Sequence, residues 1–199
     1  STLTGADILI EQSLSQFGDA DAILLLSGPG WRTAVFVEGK VKPSQSGSWT
    51  MERVWDEFRA RKAGKLDSSN LFTQLYHKVR FVSAIRSGGL QAVQRGVAFP
   101  TCSTNTLRKI GNNPVVLRAA ASVEAHCKSA CFVALVPDTS HRAERFFRNR
   151  LEEGPGPDVD GWSTEGWGFL TWESVAEFCE KQGLQHTLRV FEYNRGQIY

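Results

Sequence analysis

Three ionisable residues stand at the ends of two apolar runs early in the chain, and their types and spacing describe a site for a cation and a phosphate. Asp21 opens the run Asp-Ala-Ile-Leu-Leu-Leu-Ser over 21–27. The next run, Thr-Ala-Val-Phe-Val-Glu-Gly-Lys-Val over 33–41, carries Glu38 and Lys40 near its end. Desolvating an ionised group costs several kcal/mol unless it is paired or bound to metal, so apolar strands seldom hold charges without a reason. Gly28-Pro29-Gly30 between the runs is a turn signal, which makes the pair an antiparallel hairpin. If Ser27 pairs with Arg32 across that turn, Asp21 falls opposite Glu38 on one face of the sheet. Glu38 and Lys40 are two apart and share that face. Two carboxylates held close repel unless a cation joins them, and Mg²⁺ suits oxygen ligands. An adjacent lysine can hold a phosphate or orient a water.

The surrounding elements must position these groups. Ile10, Leu14 and Phe17 recur at three to four residues and predict a helix over 6–17 carrying Glu11. A loop over 43–48 precedes a predicted helix over 51–62. Asp67 or Ser68 would cap a longer helix over 70–85, with Leu71, Leu75, Val79 and Val82 inward and Gln74 and Lys78 as an adjacent i, i+4 stripe. Gly88-Gly89 ends it, and 91–112 carries no clear period. A helix over 115–126, a buried strand over 130–136, a helix over 142–151, a short strand over 168–171, a helix over 172–182 and a last strand over 188–193 complete the order. The expected fold class is α/β, with a central mixed sheet flanked by helices on both faces.

The chain has 199 residues, 41% hydrophobic and 22% charged, a length and composition that fit one folded domain over 1–199. A basic helical segment over about 51–118 would be inserted in the core or packed on it. Between Arg53 and Arg118 there are twelve Lys/Arg and three acids, and 68–118 holds no acid at all, although the net charge of the whole chain is only +2. Segregated positive charge of this kind is expected of a surface that meets phosphates. Lys42, Arg59, Arg61, Lys62, Lys78 and Arg80 are the candidate nucleic-acid contacts, and Trp31 and Trp49 flank the proposed site as residues that would stack on bases or pack. No run approaches the roughly 20 apolar residues that span a bilayer, so no membrane is expected. Four cysteines make no disulfide scaffold, and their usage fits a reducing cytoplasm. His126-Cys127 and Cys131 lack the paired spacing of a zinc site.

An acid at the start of one strand, followed by acid-x-Lys on the next, resembles the PD-(D/E)xK nuclease superfamily, the restriction-endonuclease-like fold. The matching residues are Asp21 and Glu38-Gly39-Lys40, and the resemblance covers about 6–85 and 115–150. It implies a further acid on the preceding helix, where Glu11 falls, and a polar residue from the following helix, where Gln74 falls. Two positions depart from common family patterns: Ala20 replaces a proline before Asp21, and Lys78 stands where some members have the tyrosine of Gln-x-x-x-Tyr.

The resemblance implies hydrolysis of phosphodiester bonds in DNA, with RNA as the alternative substrate. Asp21, Glu38 and Glu11 would hold Mg²⁺, or Mn²⁺ in its place. Lys40 would position water or stabilise the pentavalent transition state, and a homodimer would cut both strands of a duplex. The rival expectations are a catalytically inactive nucleic-acid-binding domain and a protein-interaction domain on the same fold.

Overall fold

In the computed structural model the described residues are 2–41, 50–60, 70–99, 107–137, 142–149 and 165–194. They form a five-stranded mixed sheet in the order β1-β2-β3-β6-β7. Strands β1 (Gly5–Ser13), β2 (Asp19–Gly28) and β3 (Trp31–Gly39) make an antiparallel meander, while β6 (Ser129–Val136) and β7 (Trp167–Thr171) continue the sheet in parallel from β3. A two-stranded ribbon of β4 (Val97–Ala98) and β5 (Leu107–Arg108) stands apart from it. The helices are α1 (Met51–Arg59), α2 (Leu71–Arg95), α3 (Pro114–Glu124), α4 (Arg142–Asn149), α5 (Trp172–Lys181) and α6 (Gln185–Tyr193). Among the described residues no helix is long and apolar enough to cross a membrane.

Alternation and register place Ile23, Leu25, Ala34, Phe36, Glu38, Phe132, Ala134 and Val136 on one sheet face, all of them buried. The other face carries Leu24, Leu26, Val35, Val37, Val133 and Leu135, none of which is fully buried. The α/β class is therefore as expected, but the deep core lies on one side of the sheet. Helix α2 crosses that side, burying Leu71, Phe72, Leu75, Tyr76, Val79 and Val82. Its start is fixed by Asn70, whose Oδ1 accepts from Phe72 N–H and Thr73 N–H and whose Nδ2 donates to Val54 O at 2.8 Å. This cap supplies the orphan N–H groups of the first turn with an acceptor and ties α2 to α1. Trp55 meets Phe72 and Phe146 edge on face, and Phe72 stacks parallel on Trp167, joining α1, α2, α4 and β7.

Three expectations need correction. The predicted helix over 6–17 is strand β1 followed by a single turn of 3₁₀ helix at Ser15–Phe17. The run Ile8-Leu9-Ile10 serves either period, and pairing with β2 from Gly5↔Ser27 to Ser13↔Asp19 decides for the strand. The predicted strand over 188–193 belongs to helix α6. Only Phe191 of that helix is buried, packed 6.2 Å from the Trp172 ring. Finally, α2 outlasts its glycines: Gly88 and Gly89 leave helical geometry, yet the helix resumes to Arg95.

Candidate active site

The turn pairs Ser27 with Arg32, and the ladder runs to Ala22 with Val37; continued by one residue, its register sets Asp21 opposite Glu38. Phe36 and Glu38 follow one another along the buried face of β3, and half-buried Lys40 comes just past its end. Lys40 is locked by its own backbone, since its N–H donates to Leu135 O at 2.8 Å and its carbonyl accepts from Trp172 Nε1 at 2.7 Å. At the open end of β2, Asp21 Oδ2 accepts from Gly39 N–H at 2.6 Å, which draws the carboxylate toward the Glu38-Gly39-Lys40 segment.

Helix α2 supplies the opposing wall with two residues one turn apart. Gln74 Oε1 accepts from Lys40 Nζ at 2.5 Å, and Lys78 Nζ lies 3.1 Å from Glu38 Oε1. An i, i+4 pair on the helix thus meets an i, i+2 pair on the strand, because about 6 Å separates the members of each. Lys78 also donates to Phe17 O at 3.2 Å and to Asp19 O at 3.0 Å. Gly18, at φ +80°, lies between those two carbonyl-bearing residues, and a Cβ there would stand 3.2 Å from the ammonium.

Lys78 and Glu38 are both fully buried, and burial is the largest influence on each. It pushes the Glu38 carboxyl up from its ordinary range, with Lys78 and Lys40 pulling it down and Asp21 adding to the rise. It pushes the Lys78 ammonium down, against the pull of Glu38, Asp19 and Asp21. The ion contact at 3.1 Å lacks hydrogen-bond direction: neither Glu38 oxygen accepts a hydrogen bond from any described residue.

The residues named from sequence distribute as follows. Asp21, Glu38, Lys40 and Gln74 come together. Glu11 lies on β1, not on a helix. The pairs Ile10↔Ala22 and Gln12↔Ala20 flank it, so it falls in the row of Asp21 and Glu38, but its φ of +46° breaks the strand's alternation there. Among the described residues no three of His, Cys, Asp and Glu converge as a metal-binding group. The two carboxylates brought together here are Asp21 and Glu38, and Glu11 is not grouped with them among the described residues.

Lys78, grouped from its charge with surface contacts to nucleic acid, is instead an interior part of the site with no exposed surface. Arg80 donates to Ala98 O at 2.9 Å and lies over the Phe99 ring, so its guanidinium braces the β4–β5 ribbon. Arg59 ends α1 on the surface. Lys42, Arg61, Lys62 and Trp49 fall outside the described residues. Trp31 does not flank the site: it lies at the turn end of the hairpin, roughly 20 Å away along β2. Among the described cations over 53–118 Lys78 is the buried one, while Arg86 stays exposed and donates to Cys127 O at 2.6 Å.

Sequence reasoning missed Lys78 as a site residue, although its i, i+4 relation to Gln74 was the available signal. It also missed His77, buried beside Phe99, whose imidazole is held neutral down to about 3, first by burial and then by Arg108 and Lys78. No family model matches this chain, and the comparisons with curated proteins and with solved structures find no match. The functional reading therefore rests on the geometry of Asp21, Glu38, Lys40, Gln74 and Lys78.

Proposed function

We propose that this chain is a metal-dependent nuclease that hydrolyses phosphodiester bonds of DNA. The observation that carries the reading is the convergence of Asp21, Glu38 and Lys40 at one end of the β2–β3 hairpin, with both Glu38 oxygens buried and unserved by hydrogen bonds. Two carboxylates fit Mg²⁺, which commonly takes one or two of them and keeps several waters. Mg²⁺ held there by Asp21 and Glu38 would supply Lewis acidity and an ionised water at neutral pH.

The chain's own residues do the rest. Gly39 N–H holds the Asp21 carboxylate at the mouth of the site. Gln74 aims the Lys40 ammonium, which would stabilise negative charge developing on the scissile phosphate. Lys78 favours the charged form of Glu38 against the effect of burial. Opposite strands of a duplex would each require such a site, which calls for a homodimer.

The test is incubation of supercoiled plasmid and linear DNA, with RNA in parallel, in Mg²⁺, Mn²⁺ or EDTA, beside Lys40→Ala. Expected are cleavage in either metal, none in EDTA and none by the variant at unchanged thermal stability. Undiminished cleavage by Lys40→Ala, or in excess chelator, would overturn the reading. One observation favours a second reading, an inactive nucleic-acid-binding domain: Glu38 already has an internal cation in Lys78, and among the described residues no third acid joins the site. Salt-sensitive DNA binding without cleavage in any metal would select it.

A further inference from the structure

The far end of the hairpin holds a second, separate cleft. It has a volume of about 810 Å³ and lies between the β2–β3 turn and the connection from α3 to β6. Parallel pairing of Thr33 with Ser129 forms its base, Trp31 and Arg32 line the turn side, and Lys128 lines the other. Its size is that of sites for small organic ligands.

Three features give it chemical character. First, Arg32 and Lys128 face one cleft from two different elements, and neither has an ion-pair or side-chain hydrogen-bonding partner among the described residues. Like charges brought together with no counterion create a field that favours an anion. Second, Trp31 brings a large aromatic ring to the same lining. Its indole lies against Gly28, where a Cβ would come within 2.2 Å of Nε1, so the glycine permits this placement.

Third, the two walls are tied together. His126 Nδ1 lies 2.8 Å from Ser122 O, a pure acceptor, so that nitrogen donates in this contact. Ser27 Oγ lies within hydrogen-bond distance of Nε2, at 3.3 Å, and fastens the segment after α3 to β2. The tether holds Lys128, two residues past His126, across from Arg32 without a ligand in place.

We propose that this cleft binds a nucleoside phosphate, with the phosphate between Arg32 and Lys128 and the planar base against Trp31. The Thr33 and Ser129 hydroxyls at the base are the polar groups available to the sugar. A bare phosphate would leave most of the volume and the indole unused, while an uncharged base would leave both cations without a counterion.

The test is calorimetric titration of the full chain with AMP, ribose 5-phosphate and adenosine. AMP is expected to bind saturably and more tightly than either fragment. Arg32→Ala/Lys128→Ala, which removes two surface charges, should weaken AMP and ribose 5-phosphate at least ~10-fold. Trp31→Leu should weaken AMP and leave ribose 5-phosphate unchanged. Lys40→Met, at the opposite end of the hairpin, should leave AMP binding intact, so that this cleft and the hydrolytic site stand or fall separately. The proposal is overturned by AMP that fails to saturate at millimolar concentration, by unchanged affinity in the double variant, by adenosine binding as well as AMP, or by loss of AMP binding in Lys40→Met.

Discussion

Replacing Lys78 with methionine tests the interior of the candidate site. At 3.1 Å, and with an effective dielectric constant near 20, the attraction between Lys78 and Glu38 is about 5 kcal/mol before the cost of burying both. The variant would leave the Glu38 carboxyl with no exposed surface and no cation against it, and would also remove the donor that serves Phe17 O and Asp19 O. Breaking one side of such a pair costs about 3–5 kcal/mol. For a chain of this length that corresponds to a fall in Tm of about 10 °C. Removing both partners relieves the stranded charge, so Glu38→Leu/Lys78→Met should be more stable than Lys78→Met alone. The coupling between the two sites should be about 2 kcal/mol or more. Urea unfolding of the wild type, both single variants and the double, followed by circular dichroism at pH 7, measures each term. Strict additivity, or a loss below about 1 kcal/mol for Lys78→Met, would show that the buried pair is not energetically coupled.

The remaining predictions concern the groups around that pair. His77 is neutral in the folded chain down to about 3 but protonates near 6.5 when unfolded, so its contribution is complete above pH 6.5 and is lost as pH falls toward 3. The gap corresponds to about 5 kcal/mol at its full extent. His77→Leu should flatten the acid limb of stability measured by urea midpoint between pH 7 and 4, and parallel limbs for the two proteins would refute this. Gly18→Ala should cost about 1–2 kcal/mol in thermal unfolding, because φ +80° disfavours a side chain and its Cβ would press on Lys78 Nζ. Asp21→Asn keeps an acceptor for Gly39 N–H but removes a charge. Calorimetry with Mn²⁺ should therefore show at least ~10-fold weaker binding at unchanged Tm.

Local chemistry in the sequence was sufficient for the hairpin and for the residues it carries. Gly28-Pro29-Gly30 and two apolar runs set a two-strand register, and that register placed Asp21 opposite Glu38 with Lys40 on the same face. The inner stripe of α2 was legible for the same reason: one helical period, one apolar face, and an interior to receive it. Where a local pattern served two structures equally, tertiary contact made the choice. Ile8-Leu9-Ile10 became a strand because β2 offered an unpaired edge, and 185–193 became a helix that seats Phe191 against Trp172.

Charge was the property that composition could count but not locate. Lys78 and Arg86 look alike as cations in the sequence, yet one is sealed against Glu38 while the other stays exposed and reaches back to a backbone carbonyl. Whether a lysine meets solvent or a buried carboxylate depends on what lies across from it, and Lys78 and Glu38 are separated by forty residues of chain. The sequence by itself determined which groups could do chemistry and the strand register that aligns them. Only the packing of α2 over β3 decided that Gln74 aims Lys40 and that Lys78 shares the interior with Glu38, because contacts between distant segments arise from the assembled core.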